Sequence, residues 1–247
     1  MKRLLLFILP LLALTFISCK PEEEEKPKKL VKTVEFINLL EVGTLLHTYY
    51  YDNLNRLIKR KESFNNNVNG GYYTFNYSTN TITVYPDIEP FTWYLDENGY
   101  LIDDTNNSTY IYENGYLKEY KVDNSFRVEY SWINGNNVQI THFSEYLVSA
   151  TTICECSNKE DLLNIEPLFI LQHFHPLPIF GLRLKGWTSK NYLTKWTFTD
   201  TNPDNPSTTI RTYDYTFDTD GYPTQIIVNS TDNEQVNPTG KILLTYY

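Results

Sequence analysis

Two cysteines and two histidines are the residues of this sequence whose types best suit a metal ion. Cys154 and Cys156 are separated by one residue, and His173 and His175 repeat that spacing. Two thiolates and two imidazoles would complete a tetrahedral zinc site. The usual spacings are wider, with about two to four residues between the cysteines and about three to five between the histidines. We therefore expect two small apolar thiols in a strand, two loop histidines and no bound cofactor.

A disulfide between Cys154 and Cys156 is a second alternative. On an extended strand their side chains share a face, but the sulfur atoms lie too far apart for an unstrained bond. Such a disulfide would therefore need a turn at this position.

Catalytic residues are not strongly indicated. Asp103 and Asp104 form a pair of carboxylates that suggests a glycosidase, but adjacent residues of a strand point to opposite faces. The Gly-x-Ser-x-Gly pattern of a serine hydrolase does not occur. We expect a protein without enzymatic activity and keep a hydrolase of surface glycans or peptides as the alternative.

Tryptophan residues are the candidate ligand-binding side chains. Trp93, Trp132 and Trp187 could form a stacking platform for a glycan or protein ligand. Aromatic rings also fill the buried faces of sheets, where each buries roughly 150–250 Å². Trp93 and Trp132 lie in alternating segments that favour burial, whereas Trp187 follows the loop 181–186.

The elements that must position these residues are short aromatic strands joined by turns. Asp, Asn and Gly mark the turns of a loosely repeated hairpin, in which Gly or Asn supplies the left-handed backbone that the turn needs. The repeats are Tyr49–Ile58, Trp93–Ile102, Tyr110–Leu117, Ser131–Asn136 and Tyr213–Pro223.

Alternation within the strands predicts the fold class. In the segment 127–133, Val128, Tyr130 and Trp132 share one face while polar residues share the other. This pattern predicts an all-β fold, an antiparallel up-and-down meander that forms a barrel or half-barrel from residues 31–247. A capping box at Ser157–Glu160 predicts a short helical insertion near residues 157–175.

The amino terminus carries an export signal. Lys2 and Arg3 precede an apolar stretch that is too short to span a bilayer, and Cys19 follows it. Residues 16–19, Phe-Ile-Ser-Cys, resemble the relaxed lipobox of Bacteroidota lipoproteins. This resemblance implies that residues 1–18 are removed and that Cys19 carries the lipid. An ordinary cleaved signal peptide is the alternative.

Residues 19–30 form an acidic, flexible linker. Its four consecutive glutamates repel one another and favour an extended spacer. The run from Lys20 to Glu25 also resembles the acidic tag that sends Bacteroidota lipoproteins to the cell surface. Loss of Lys2 and Arg3 would take the formal net charge from −9 to −11, which argues against a nucleic-acid partner.

The whole arrangement resembles a family of Bacteroidota lipoproteins of unknown function with YD-like repeats and a porin-like β-barrel fold. The hairpins above and the segments Pro178–Gly181 and Thr188–Asn191 support the resemblance. It implies a fold and an envelope location but no catalytic residues.

The expected role is that of a cell-envelope lipoprotein on the outer membrane surface. We expect a binding or scaffold module anchored to the membrane by its lipid, with a structural subunit of an envelope assembly as a further alternative. The alternating segments predict strands of about five to eight residues with tyrosine-rich apolar faces. These features argue against a membrane-spanning barrel.

Overall fold

The computed structural model describes residues 28–38, 43–65, 71–86, 89–122, 126–145, 147–163, 186–204, 206–232 and 235–247. The predicted signal peptide, Cys19, most of the linker, His173 and His175 lie outside these residues.

Sixteen strands make up the regular structure of the described residues. No described helix is long and apolar enough to cross a membrane. In chain order the strands are β1 (Val31–Asn38), β2 (Gly43–Tyr51), β3 (Leu57–Phe64), β4 (Tyr72–Tyr77), β5 (Thr81–Tyr85), β6 (Phe91–Leu95), β7 (Leu101–Asp104), β8 (Ser108–Glu113), β9 (Tyr116–Val122), β10 (Phe126–Ile133), β11 (Asn136–Ser144), β12 (Leu147–Glu160), β13 (Asn191–Asp200), β14 (Ser207–Phe217), β15 (Pro223–Asp232) and β16 (Gln235–Tyr246).

The strands form one closed antiparallel barrel. Each strand pairs with its neighbours in sequence, and β1 closes the ring by pairing with β16, where Phe36 lies opposite Ile242. The predicted up-and-down barrel is therefore confirmed. Closure leaves no unpaired edge strand that could recruit another chain.

The two ends of the barrel differ. The proximal end is where β1 begins and β16 finishes, and the distal end is where β1 leads into β2. Lys29, just before β1, lies at the proximal end, where its Nζ is 2.6 Å from Asp218 Oδ2 and 2.7 Å from Asp220 Oδ2. These ion pairs connect the residue before β1 to the β14–β15 turn.

One face of every strand lines the barrel interior. Val34, Tyr49, Trp93, Val128 and Ile242 lie on this inner face and are almost completely buried. The outer face carries many threonines and charged residues. The interior therefore holds the hydrophobic core, as the alternation predicts.

Four turns share one hydrogen-bond pattern. In each, an aspartate Oδ1 accepts bonds from the backbone N–H groups two and four residues later, as Asp96 does from Asn98 and Tyr100 at 2.8 and 2.9 Å. The residue three positions after the aspartate has a positive φ: Asn55, Gly99, Asn107 and Gly221. The turns begin at Asp52, Asp96, Asp104 and Asp218.

The predicted helix start at Ser157 is wrong. Ser157–Glu160 continues β12, and Glu160 lies opposite Asn191 of β13. The Ser157 hydroxyl accepts a bond from Lys159 N at 3.1 Å, two residues on, whereas a capping box needs the third residue. Asn191 Nδ2 also donates to Ser157 O at 2.7 Å, so contacts with β13 override the local helix signal. The remainder of the predicted insertion, residues 164–175, lies outside the described residues.

Residues 186–190 cross part of the proximal end before β13 begins. Lys190 N donates to Gly135 O at 2.8 Å, in the β10–β11 turn. Trp187 Nε1 donates to the hydroxyl of Tyr112 in β8 at 2.8 Å. This stretch therefore covers the neighbouring turns and inserts one aromatic ring among them.

Candidate functional site

Inward side chains near the distal end keep part of their surface accessible. They are half-buried, and we call them the distal vestibule: Phe36, Tyr73, Phe91, Val122, Phe126 and Phe198. Other inward side chains are fully covered, among them Tyr49, Trp93 and Val84, although Val84 lies directly opposite Phe91. An inward side chain with accessible surface must border a space that water can enter. Half-buried inward side chains also occur toward the proximal end, among them Tyr77, Tyr112 and Tyr246. The described interior is therefore packed at its middle and less completely covered toward both ends.

A buried polar group, which we call the Arg60 cluster, lies beside this vestibule. It consists of His47, Tyr49, Arg60, Glu62 and Tyr73. Arg60 is only 7% exposed, and its Nη2 donates to Glu62 Oε1 at 2.5 Å. The Arg60 guanidinium carbon lies 4.3 Å from the centroid of the Tyr73 ring. His47 Nδ1 is 3.2 Å from the Tyr49 hydroxyl, and His47 Nε2 is 3.5 Å from Glu62 Oε1.

The pairing of β2 with β3 brings this cluster together. Tyr49 lies opposite Arg60, and His47 lies opposite Glu62. A register shift near Tyr51 turns both Leu57 and Arg60 inward, although three positions separate them. A bulge of this kind changes which face a side chain occupies.

The electrostatics of the Arg60 cluster favour binding over proton transfer. Burial, and secondarily the Arg60 charge, lowers the pKa of His47 to about 3. Burial also raises the pKa of Tyr49, against the opposing effect of Arg60. A histidine with so low a pKa is a weak base near neutral pH. Glu62 balances the Arg60 charge, so the cluster offers polar contacts without a net charge.

Two of the three predicted ligand-binding tryptophans are covered. Trp93 is 0% exposed in the packed middle of the interior, and Trp187 is 5% exposed at the proximal end. Trp132 is half-buried, stacks on Tyr116 at 4.9 Å and donates from Nε1 to Leu117 O at 2.6 Å. Stacking of a ligand on Trp93 or Trp187 would require the atoms that cover them to move.

The predicted metal-ligand residues are only partly described. Cys154 and Cys156 both lie on the inner face of β12, opposite Trp196 and Leu193 of β13, and neither forms a disulfide with a described residue. Among the described residues, no group of three or more Cys, His, Asp or Glu side chains is arranged to hold a metal ion. His173 and His175 lie outside that set.

The two adjacent carboxylates diverge, as their strand position predicts. Asp103 is exposed on the outer face, whereas Asp104 is buried. Asp104 Oδ2 accepts the Tyr110 hydroxyl at 2.9 Å, and its Oδ1 accepts two backbone N–H groups of its own turn. Asp104 therefore stabilises the β7–β8 turn and does not pair with Asp103.

Sequence reasoning missed the Arg60 cluster and the distal vestibule. His47 alternates with Tyr49 and Tyr51, a signal that could have placed His47 on the inner face. Arg60 gave no such signal, because strict alternation from Leu57 would have placed it outside.

Comparisons with known proteins bear on the fold. No protein-family model and no curated protein sequence matches this chain. Among solved structures, the chain is similar to a porin-like protein from Bacteroides uniformis, with a TM-score of 0.65 and 20% sequence identity. The similarity covers 88% of this chain and 96% of that protein. The chain thus has a porin-like, all-β barrel fold, as the family resemblance implied.

Proposed function

We propose that this protein is a non-enzymatic binding module of the outer membrane, held at the cell surface by a lipid on Cys19. In this proposal the barrel stands in water and takes up an apolar ligand through its distal vestibule. The half-buried, mainly aromatic side chains of the distal vestibule are the observation that carries the proposal.

The outer face of the barrel supports a position outside the bilayer. Several described strands are ten residues or longer, so strand length does not argue against a membrane span. The composition of the outer face does argue against a membrane span, because an Arg or Lys at the lipid-facing midplane destabilises a membrane barrel by about 2–4 kcal/mol. Charged residues occur on the outer face of nine strands, whereas β4, β5 and β6 carry none: Glu35, Lys59, Lys61, Asp103, Glu119, Lys121, Arg127, Glu129, Glu155, Lys195, Asp214 and Lys241.

The position of Lys29 supports an orientation for the anchored barrel. Lys29 is held at the proximal end by Asp218 and Asp220. Lys29 is ten positions after Cys19, and an extended chain of ten residue steps spans roughly 33–36 Å. A lipid on Cys19 would therefore keep the proximal end near the membrane and leave the distal end facing away.

Replacement of the acylated residue tests the anchor. We expect Cys19→Ala to leave the membrane fraction and to enter the aqueous phase in detergent phase separation. The native protein should enter the detergent phase and be cleaved by protease added to intact cells. A Cys19→Ala variant that still enters the detergent phase would show that the lipid does not hold the protein.

A neutral fluorescent probe tests the vestibule. We expect N-phenylnaphthylamine to bind the folded protein and Phe126→Ala to weaken that binding by about tenfold, because the variant removes apolar contact area. Phe143→Ala is the matched control, since Phe143 is also half-buried but lies on the outer face of the adjacent strand β11. An equal effect of the two variants, or no probe binding, would exclude the vestibule as the site.

A further inference from the structure

A second polar group lies on the inner wall, across strands β12, β13 and β14. Trp196 of β13 lies opposite Arg211 of β14 and opposite Cys154 of β12. Thr152 is two residues from Cys154 and faces the same way. We call Thr152, Trp196 and Arg211 the Arg211 site.

The Arg211 site contains hydrogen-bond donors whose acceptors are missing. Trp196 is 6% exposed, and its buried Nε1 has no partner among the described residues. Thr152 is completely buried, and its hydroxyl also has no described partner. Buried donors are normally hydrogen-bonded, so a group at this site that accepts such bonds would be stabilising.

The charge of Arg211 is also unbalanced. Its guanidinium carbon lies 5.2 Å from the centroid of the Trp196 ring, and it forms no ion pair with a described carboxylate. Arg60, the other arginine on the inner wall among the described residues, is paired with Glu62. Among the described residues of the inner wall, Arg60 therefore has a carboxylate partner and Arg211 does not.

The Arg211 site is continuous with the distal vestibule. Trp196 stacks on the vestibule residue Phe198, with ring centroids 5.6 Å apart. A molecule seated on the aromatic vestibule could therefore reach Arg211 with one end. The neighbouring apolar rings would also strengthen a charged hydrogen bond by excluding water.

We propose that the Arg211 site binds the carboxylate of an amphiphilic ligand whose apolar body occupies the distal vestibule. This inference rests on the proposed binding function and gives its ligand a chemical class. The guanidinium supplies paired N–H donors that match a carboxylate. The Trp196 N–H and the Thr152 hydroxyl are covered in the barrel as it stands, and they supply two more donors once the side chains over them move.

Three amphiphiles of equal chain length test the charge preference. Decanoate, decanol and decyltrimethylammonium are each titrated against the folded protein, and displacement of N-phenylnaphthylamine is measured below the micelle concentration. We expect decanoate to bind at least about tenfold more tightly than decanol, because hydrogen bonds to charged groups are strong. The cationic amphiphile should bind most weakly.

Substitutions then assign the preference to the site. Arg211→Gln should weaken decanoate binding far more than decanol binding and so remove the advantage of decanoate over decanol. Arg127→Gln is the matched control, because Arg127 stacks on Phe143 at 4.0 Å on the outer face. The Arg127→Gln variant should still bind decanoate more tightly than decanol. Trp196→Phe and Thr152→Val keep most of the side-chain shape and should each reduce the advantage several-fold.

The outcomes separate this inference from the proposed function. Equal binding of decanoate and decanol to the native protein, or an unchanged advantage in Arg211→Gln, would overturn the carboxylate site while leaving apolar binding intact. Absence of probe binding would overturn both. If Arg211→Gln does not fold by circular dichroism, Trp196→Phe and Thr152→Val decide, and an undiminished advantage in both contradicts the inference.

Discussion

At the scale of single residues, the barrel interior contains a few buried polar side chains among its apolar ones. His47 and Arg60 lie among aromatic side chains of the inner wall, where unpaired charges would be unfavourable. Pairing with Glu62 stabilises the Arg60 charge, whereas His47 remains neutral because burial opposes its protonation.

The neutral state of His47 predicts a specific pH dependence. In the unfolded chain His47 takes up a proton near its ordinary pKa of 6.5, whereas in the folded protein its pKa is about 3. Between these values the unfolded state binds more protons, so the free energy of unfolding falls as the pH falls, by up to about 1.4 kcal/mol per pH unit. His47→Gln should reduce this loss between pH 6.5 and pH 4.

Urea unfolding of both proteins at several pH values measures this difference. The carboxylates are common to both, so their contribution largely cancels in the comparison. Parallel curves of stability against pH would show that His47 is protonated equally in the folded and unfolded states.

At the scale of elements, the recurring Asp turn explains why the hairpins repeat. Its aspartate satisfies two backbone N–H groups, and its fourth residue adopts a left-handed conformation that Gly and Asn tolerate. Gly99 and Gly221 have φ values of 82° and 92°. Asn55 and Asn107 occupy the equivalent position in the other two turns, with φ values of 60° and 59°.

This equivalence predicts the order of stability among glycine substitutions. Gly99→Val and Gly221→Val should each destabilise the barrel by about 1–2 kcal/mol, because a β-branched residue resists positive φ. Gly→Asn at either position should be much milder. No heavy atom lies within 4 Å of a Cβ built at Gly99, so that site isolates the backbone effect. Urea melts in which the Val and Asn variants are equally stable would contradict this explanation.

Short-range residue patterns made the turns and strand faces predictable, whereas the conformation at Ser157 and the inward position of Arg60 depend on pairing between strands. Asn98-Gly99 and the alternation in β10 are short-range signals, and both appear as predicted. The helix signal at Ser157 was equally local, but pairing with β13 overrode it. The inward position of Arg60 depends on a bulge, which no short-range pattern in the sequence specifies.

At the scale of the whole molecule, the barrel is asymmetric along its axis. Lys29 and residues 186–190 contact neighbouring turns at the proximal end, whereas half-buried inward aromatic rings occur toward both ends, such as Phe36 and Phe91 at the distal end and Tyr77 and Tyr246 at the proximal end. The outer face carries charged residues on most strands outside β4, β5 and β6. The proposed anchored barrel, with a water-facing exterior and a ligand-binding distal vestibule, would accommodate these features.

The most direct test removes the signal and the lipid and asks whether the barrel still folds in water. The chain from Lys20 onward is produced without acylation, and its far-ultraviolet circular dichroism and urea unfolding are measured with and without detergent micelles. The account predicts a β-rich spectrum and a cooperative transition in detergent-free buffer, with little change on addition of micelles. Aggregation in buffer, with β structure gained only in micelles, would contradict a barrel that stands outside the bilayer.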